Sequence, residues 1–152
     1  MRIAAVIIAL ICGIAVLVGI FLPWAEGTGP LGILSFSASG MDVISNSGWD
    51  VSDFMLSDNL HAILVLVGAA IMIVCAVPAL FLVASKGGRV AVLPLGILIS
   101  LGAIIAIGGL AWFLVDMSSA DHWTDFVSYG TYVSGGGAAL GFIFGIVASA
   151  KK

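Results

Sequence analysis

Four apolar stretches, approximately Ile3 to Leu22, Leu60 to Ala84, Val90 to Val115 and Phe126 to Ala150, constrain this chain more than any other feature. The first three have the roughly 20 residues that a helix needs to cross a hydrocarbon core about 30 Å thick. The fourth opens on a polar, Gly-rich turn that blurs its outer boundary. With 62% of residues hydrophobic and 9% charged, a soluble domain of this size has too little polar surface to cover itself. The expected fold is therefore an all-α integral membrane protein, a four-transmembrane-helix bundle forming a single domain over residues 1–152.

Charge gives the orientation. Arg2, Lys86, Arg89, Lys151 and Lys152 fall in the two termini and one short connection, Ser85 to Arg89. Glu26, Asp42, Asp50, Asp53, Asp58, Asp116, Asp121 and Asp125 fall in the other two connections, Pro23 to Asn59 and roughly Asp116 to Asp125. Basic residues stay cytoplasmic, so both termini are expected inside and the long first loop outside, in a multi-pass protein of the cell membrane. The even number of spans agrees independently. The first stretch is too long for the apolar region of a secretory signal peptide and reads as a retained helix.

The long loop has its own patterning. Leu31 to Ser39 alternates, with Leu34, Phe36 and Ala38 on one side and Ser35, Ser37 and Ser39 on the other, the period of a half-buried strand. Ser39-Gly40 offers a turn, after which Met41 to Ser45 would return as the second strand of a small extracellular β-hairpin. Such a hairpin is marginal alone and needs the helix ends or another strand beneath it. Ser47 to Ser57, with Trp49, Phe54, Met55 and Leu56 among Asp50 and Asp53, suggests a short amphipathic helix at the interface. Asp58 would cap the second span. Neither outer loop holds a cysteine; Cys12 and Cys75 lie mid-span and read as small apolar packing residues.

Phe21, Trp24, Trp112, Phe113, Trp123, Phe126, Tyr129 and Tyr132 gather at the outer ends of the spans, where an interfacial aromatic belt is expected. Trp24, Phe36, Trp49 and Trp123 are the candidates for organising the outer cap or contacting a partner. Within the spans, Gly137, Gly141, Gly145 and Ser149 recur every four residues, Ala5, Ala9 and Gly13 make a similar strip, and Gly96 with Ser100 starts a third. Hydrocarbon supplies no hydrophobic drive for helix association, so such strips work by close van der Waals approach. They fit packing inside the bundle or contact between protomers. Pro78 and Pro94, in the inner halves of spans two and three, are each expected to remove a backbone hydrogen bond and bend the helix.

Several function classes are not represented. No Asp, Glu, Lys, Arg or His lies deep in a span, so a proton relay or charged substrate site is not expected. Paired Gly/Pro interruptions in matching halves, the pointer to a transporter site, are not evident. There is no His-Glu-x-x-His pair, cysteine ligand set or phosphate loop. His61 and His122 with Asp58, Asp121 and Asp125 make a metal site geometrically conceivable, but neither catalytic residues nor a cofactor are expected. Without a basic outer patch, nucleic acid is not an expected partner.

A span ending Phe21-Leu22-Pro23-Trp24, then a Ser-rich strand and Ser39-Gly40-Met41-Asp42, resembles a pattern of small four-span membrane proteins of bacteria and archaea. The long first outer loop with strand character, the short basic inner turn and Trp112 near the end of span three also resemble the claudin-like tetraspan architecture. That resemblance implies a small sheet above a four-helix bundle, with protomers meeting side by side or face to face. Claudins carry a Gly-Leu-Trp motif and two loop cysteines; here Gly48-Trp49 is the comparable pair and the cysteines are absent, so topology is what the resemblance implies.

The reading that follows is a non-enzymatic membrane protein acting in structure or assembly through helix packing and an acidic outer cap. Membrane lipid is one expected partner, and a second copy or the subunits of a larger membrane complex are others. The alternative is an accessory or binding module whose outer carboxylates hold a cation or a basic partner.

Overall fold

The computed structural model describes residues 2–28, 35–40, 60–84, 92–118 and 127–150. The apolar stretches form helices α1 (Arg2–Phe21), α2 (Leu60–Ala84), α3 (Val92–Met117) and α4 (Tyr129–Ser149), and between α1 and α2 lie strands β1 (Pro23–Thr28) and β2 (Ser35–Ser39). All four helices are long and apolar enough to cross a membrane. At about 1.5 Å per residue, the 25 residues of α2 reach beyond a hydrocarbon core of about 30 Å.

Each helix packs on its neighbours in sequence, and α4 closes the bundle against α1. The direction alternates, because Gly19 lies against Ser134 and Gly130, Gly68 against Gly102 and Ala106, and Gly96 against Gly145 and Ser149. Arg2, Ala84 and Val92 therefore share one end of the bundle, while Phe21, Leu60 and Tyr129 share the other.

The packing has bulky residues outside and small ones within. Ala62, Val65, Ala69, Met72, Ala76 and Ala79 of α2 are fully buried, and their alternating spacing of three and four is the period of a coiled-coil seam. Ile99, Ala103, Ala106 and Leu110 repeat it on α3. Facing outward are Ile7, Ile11, Ile14 and Val18 of α1, Val74 and Phe81 of α2, and Leu140 and Ile143 of α4, with Phe81 72% exposed. Such a surface suits hydrocarbon, whereas water would meet an apolar area far beyond the patches that soluble monomers tolerate.

Small residues set the distance between helices. A Cβ on Gly68 would lie 2.5 Å from the Gly102 carbonyl oxygen, and one on Gly102 would lie 2.8 Å from that of Gly68, so α2 and α3 meet backbone to backbone. On the other side of α3, the Ser100 hydroxyl lies 3.1 Å from the Gly96 carbonyl and 3.3 Å from that of Phe142, placing its one proton between α3 and α4.

One expectation falls largely outside the described residues and one needs correction. β2 pairs antiparallel with β1, Thr28 opposite Ser35 and Pro23 opposite Ser39. The returning strand expected over Met41 to Ser45, and the short helix expected over Ser47 to Ser57 with its Asp58 cap, lie outside the described residues. Pro94, expected to bend α3, stands in its first turn, where N–H groups have no acceptor within the helix and proline removes nothing. Pro78 does stand inside α2, where its missing N–H leaves the Val74 carbonyl without its usual donor.

Candidate functional site: the tryptophan junction

One residue ties the strands to the helices. Gly19 is in the last turn of α1, and the residue four positions on, which would donate to its carbonyl, is Pro23, which has no N–H. The indole Nε1–H of Trp24 takes that place, donating to the Gly19 carbonyl at 2.8 Å. Pro23-Trp24 thus ends the helix and satisfies the carbonyl left open.

Trp24 is also the extra residue of a bulge. Between Pro23 and Ala25 the register advances by two on β1 and by one on β2, which bends a strand and redirects its side chain. Its carbonyl accepts from the Ser128 backbone N–H at 2.8 Å and from the Thr131 hydroxyl at 3.2 Å. Ala25 forms an isolated antiparallel bridge with Val127. Both lone pairs of one carbonyl therefore hold the start of α4.

The indole is buried, 1% exposed, and meets Phe113 edge-on at 5.2 Å between ring centroids and His61 at 6.2 Å. His61 and Phe113 are 5.2 Å apart, and each is 7% exposed. The junction thus gathers α1, α2, α3 and α4 around one residue, the first three at its ring and α4 at its carbonyl. Two glycines permit the approach: a Cβ on Gly40 would lie 2.8 Å from Trp24 Cζ2, and one on Gly130 would lie 2.5 Å from the Pro23 carbonyl oxygen.

Beside this junction runs a groove of about 370 Å³ between α3 and α4, with Leu110 and Leu114 on one wall and Val127, Tyr132, Gly135 and Gly136 on the other.

The expected site residues distribute as follows. Gly137 packs on Cys12 and Val16 of α1, Gly141 on Met72 and Cys12, and Gly145 on Ser100 and Gly96 of α3. The strip on α4 therefore crosses from α1 to α3 along its length. Ala9 is fully buried, and Gly13 packs on Met72 and Ile73. All five face the bundle interior. Of the cap candidates, Trp24 is at the junction, the backbone of Phe36 pairs with Gly27 in the sheet, and Trp49 and Trp123 lie outside the described residues.

The belt expectation divides. Phe21, Trp112, Tyr129 and Tyr132 are exposed, whereas Trp24 and Phe113 belong to the core. His61, expected near the outer surface, is at that end but buried between rings. Cys12 is buried and Cys75 half-buried, both as free thiols. Among the described residues no three His, Cys, Asp or Glu side chains come together to hold a metal; His122, Asp58, Asp121 and Asp125 lie outside them. His61, Phe113, Gly19 and Gly130 were not singled out as junction residues. The signal for Gly19 was the proline four residues on.

No protein-family model, curated protein or solved structure matches this chain.

Proposed function

We propose that this chain is a non-enzymatic multi-pass membrane protein, a structural or assembly component that holds an acidic extracellular cap over a four-helix bundle for contact with a partner. Lysine and arginine face the cytoplasm together with both termini, as positive charge near spans favours. The observation that carries the reading is the Trp24 junction: a buried ring and three hydrogen bonds fasten the first loop to the ends of α1 and α4. Strands β1 and β2, so fastened, present a fixed surface, and fixed surfaces bind at lower entropic cost than mobile ones.

Because Gly137, Gly141, Gly145, Ala9 and Gly13 are occupied inside the bundle, we assign the assembly contact to the cap in place of the helix strips. The test is the size and composition of the full chain extracted in mild detergent, by light scattering and mass spectrometry. A self-assembled or hetero-oligomeric species is expected, and Trp24→Phe should reduce its abundance severalfold. A monomer that carries no second protein would overturn the proposal.

A further inference from the structure

We propose that the groove between α3 and α4 holds one acyl chain of a membrane lipid, in the layer just beneath the headgroups. The inference rests on reading the four helices as membrane spans. Leu110 lies seven residues before the end of α3, about 10 Å along the axis, and Val127 to Gly136 cover the start of α4. That is the depth at which the first carbons of an acyl chain run.

Three observations select this occupant. The first is chemistry: the walls are Leu110, Leu114, Val127 and the Tyr132 ring, and the hydroxyl hydrogen of Thr131, which also lines the groove, is already given to the Trp24 carbonyl. Such a lining offers dispersion contact to a chain of methylenes. The second is the pair Gly135 and Gly136. On the same helix Gly130, Gly137, Gly141 and Gly145 each have a neighbour's atoms where a Cβ would stand, whereas a Cβ on Gly135 would meet only Leu110 Cδ1 at 3.8 Å and one on Gly136 nothing within 4 Å. Glycine weakens a helix relative to alanine, and packing does not account for these two; their effect is to keep that wall of the groove low. The third is size. A volume of about 370 Å³ falls within the range of small-molecule sites, while the few residues around it fall far short of the 20 to 30 per side of a stable protein interface.

The experiment uses the full chain in phosphatidylcholine liposomes containing a phosphatidylcholine with a diazirine near the carbonyl end of one acyl chain. Flotation with the liposomes comes first; a chain that fails to float defeats the reading of the helices as spans and so the basis of this inference. For a chain that floats, irradiation should label Leu114 and Tyr132 at least threefold more than Val18, Val67 and Trp112, exposed side chains in the same half of the bundle. Gly136→Leu should abolish that excess, and Gly108→Leu, at another glycine with open space around it but outside the groove, should preserve it. Should Gly136→Leu not fold, Leu114→Trp, which fills the groove from the α3 wall, is held to the same outcome. Equal labelling of groove and comparison residues, excess labelling that persists in the filled-groove variant, or adducts joining two copies of the chain would each overturn the inference. The last result would place a second copy in the groove.

Discussion

Trp24 shows how one residue can serve as helix stop, bulge and core at once. Its ring is in the core and its carbonyl is bound by α4, so truncation to alanine removes buried aromatic contact as well as the donor to Gly19. We expect Trp24→Ala to lower the free energy of unfolding by about 3–5 kcal/mol, the usual cost of deleting a buried large aromatic. Trp24→Phe keeps much of the ring but leaves the Gly19 carbonyl without its donor, for a loss of about 1–3 kcal/mol. Thermal melting in mild detergent should rank the proteins wild type, Trp24→Phe, Trp24→Ala. A Phe variant as stable as wild type would mean that the carbonyl finds another donor.

At the scale of elements, the helices were largely legible and their contacts were not. Long apolar runs located α1 to α4 to within a few residues, because crossing hydrocarbon demands length. Gly137, Gly141 and Gly145 identified a face of α4, yet periodicity does not say which helix that face meets, and the face turns out to be shared between α1 and α3. Strand β1 was missed for a different reason: Pro, Glu and Gly in Pro23–Thr28 are poor strand formers, and the strand is held from outside its own sequence by Val127 and Ser128. The glycines give a direct comparison. Leucine at Gly141 would meet Met72 and Cys12, and we expect Gly141→Leu to destabilise by about 1–3 kcal/mol, the cost of overpacking. Gly108 has open space around it, so Gly108→Ala should stabilise by up to about 1 kcal/mol through helix propensity. Melting temperatures shifting in the same direction for both variants would contradict this packing.

For the whole molecule, the separation of charge is the feature that function must respect. In the described residues, Glu26 and Asp116 lie at the end of the bundle where α1 and α3 finish, and Arg2 begins α1 at the opposite end. On the proposed orientation, a cysteine in place of Asp50 should react with an impermeant maleimide on whole cells, and one in place of Gly87 should react only after permeabilisation. The reverse pattern would invert the topology and move the acidic cap to the cytoplasm. The Trp24 carbonyl and the Thr131 hydroxyl are 107 residues apart in sequence, which bears on how the protein is made. As the ribosome delivers the chain in order, on the proposed topology the first loop would cross the membrane long before its last fastening exists, and would wait there, incompletely secured, until the fourth helix has been made.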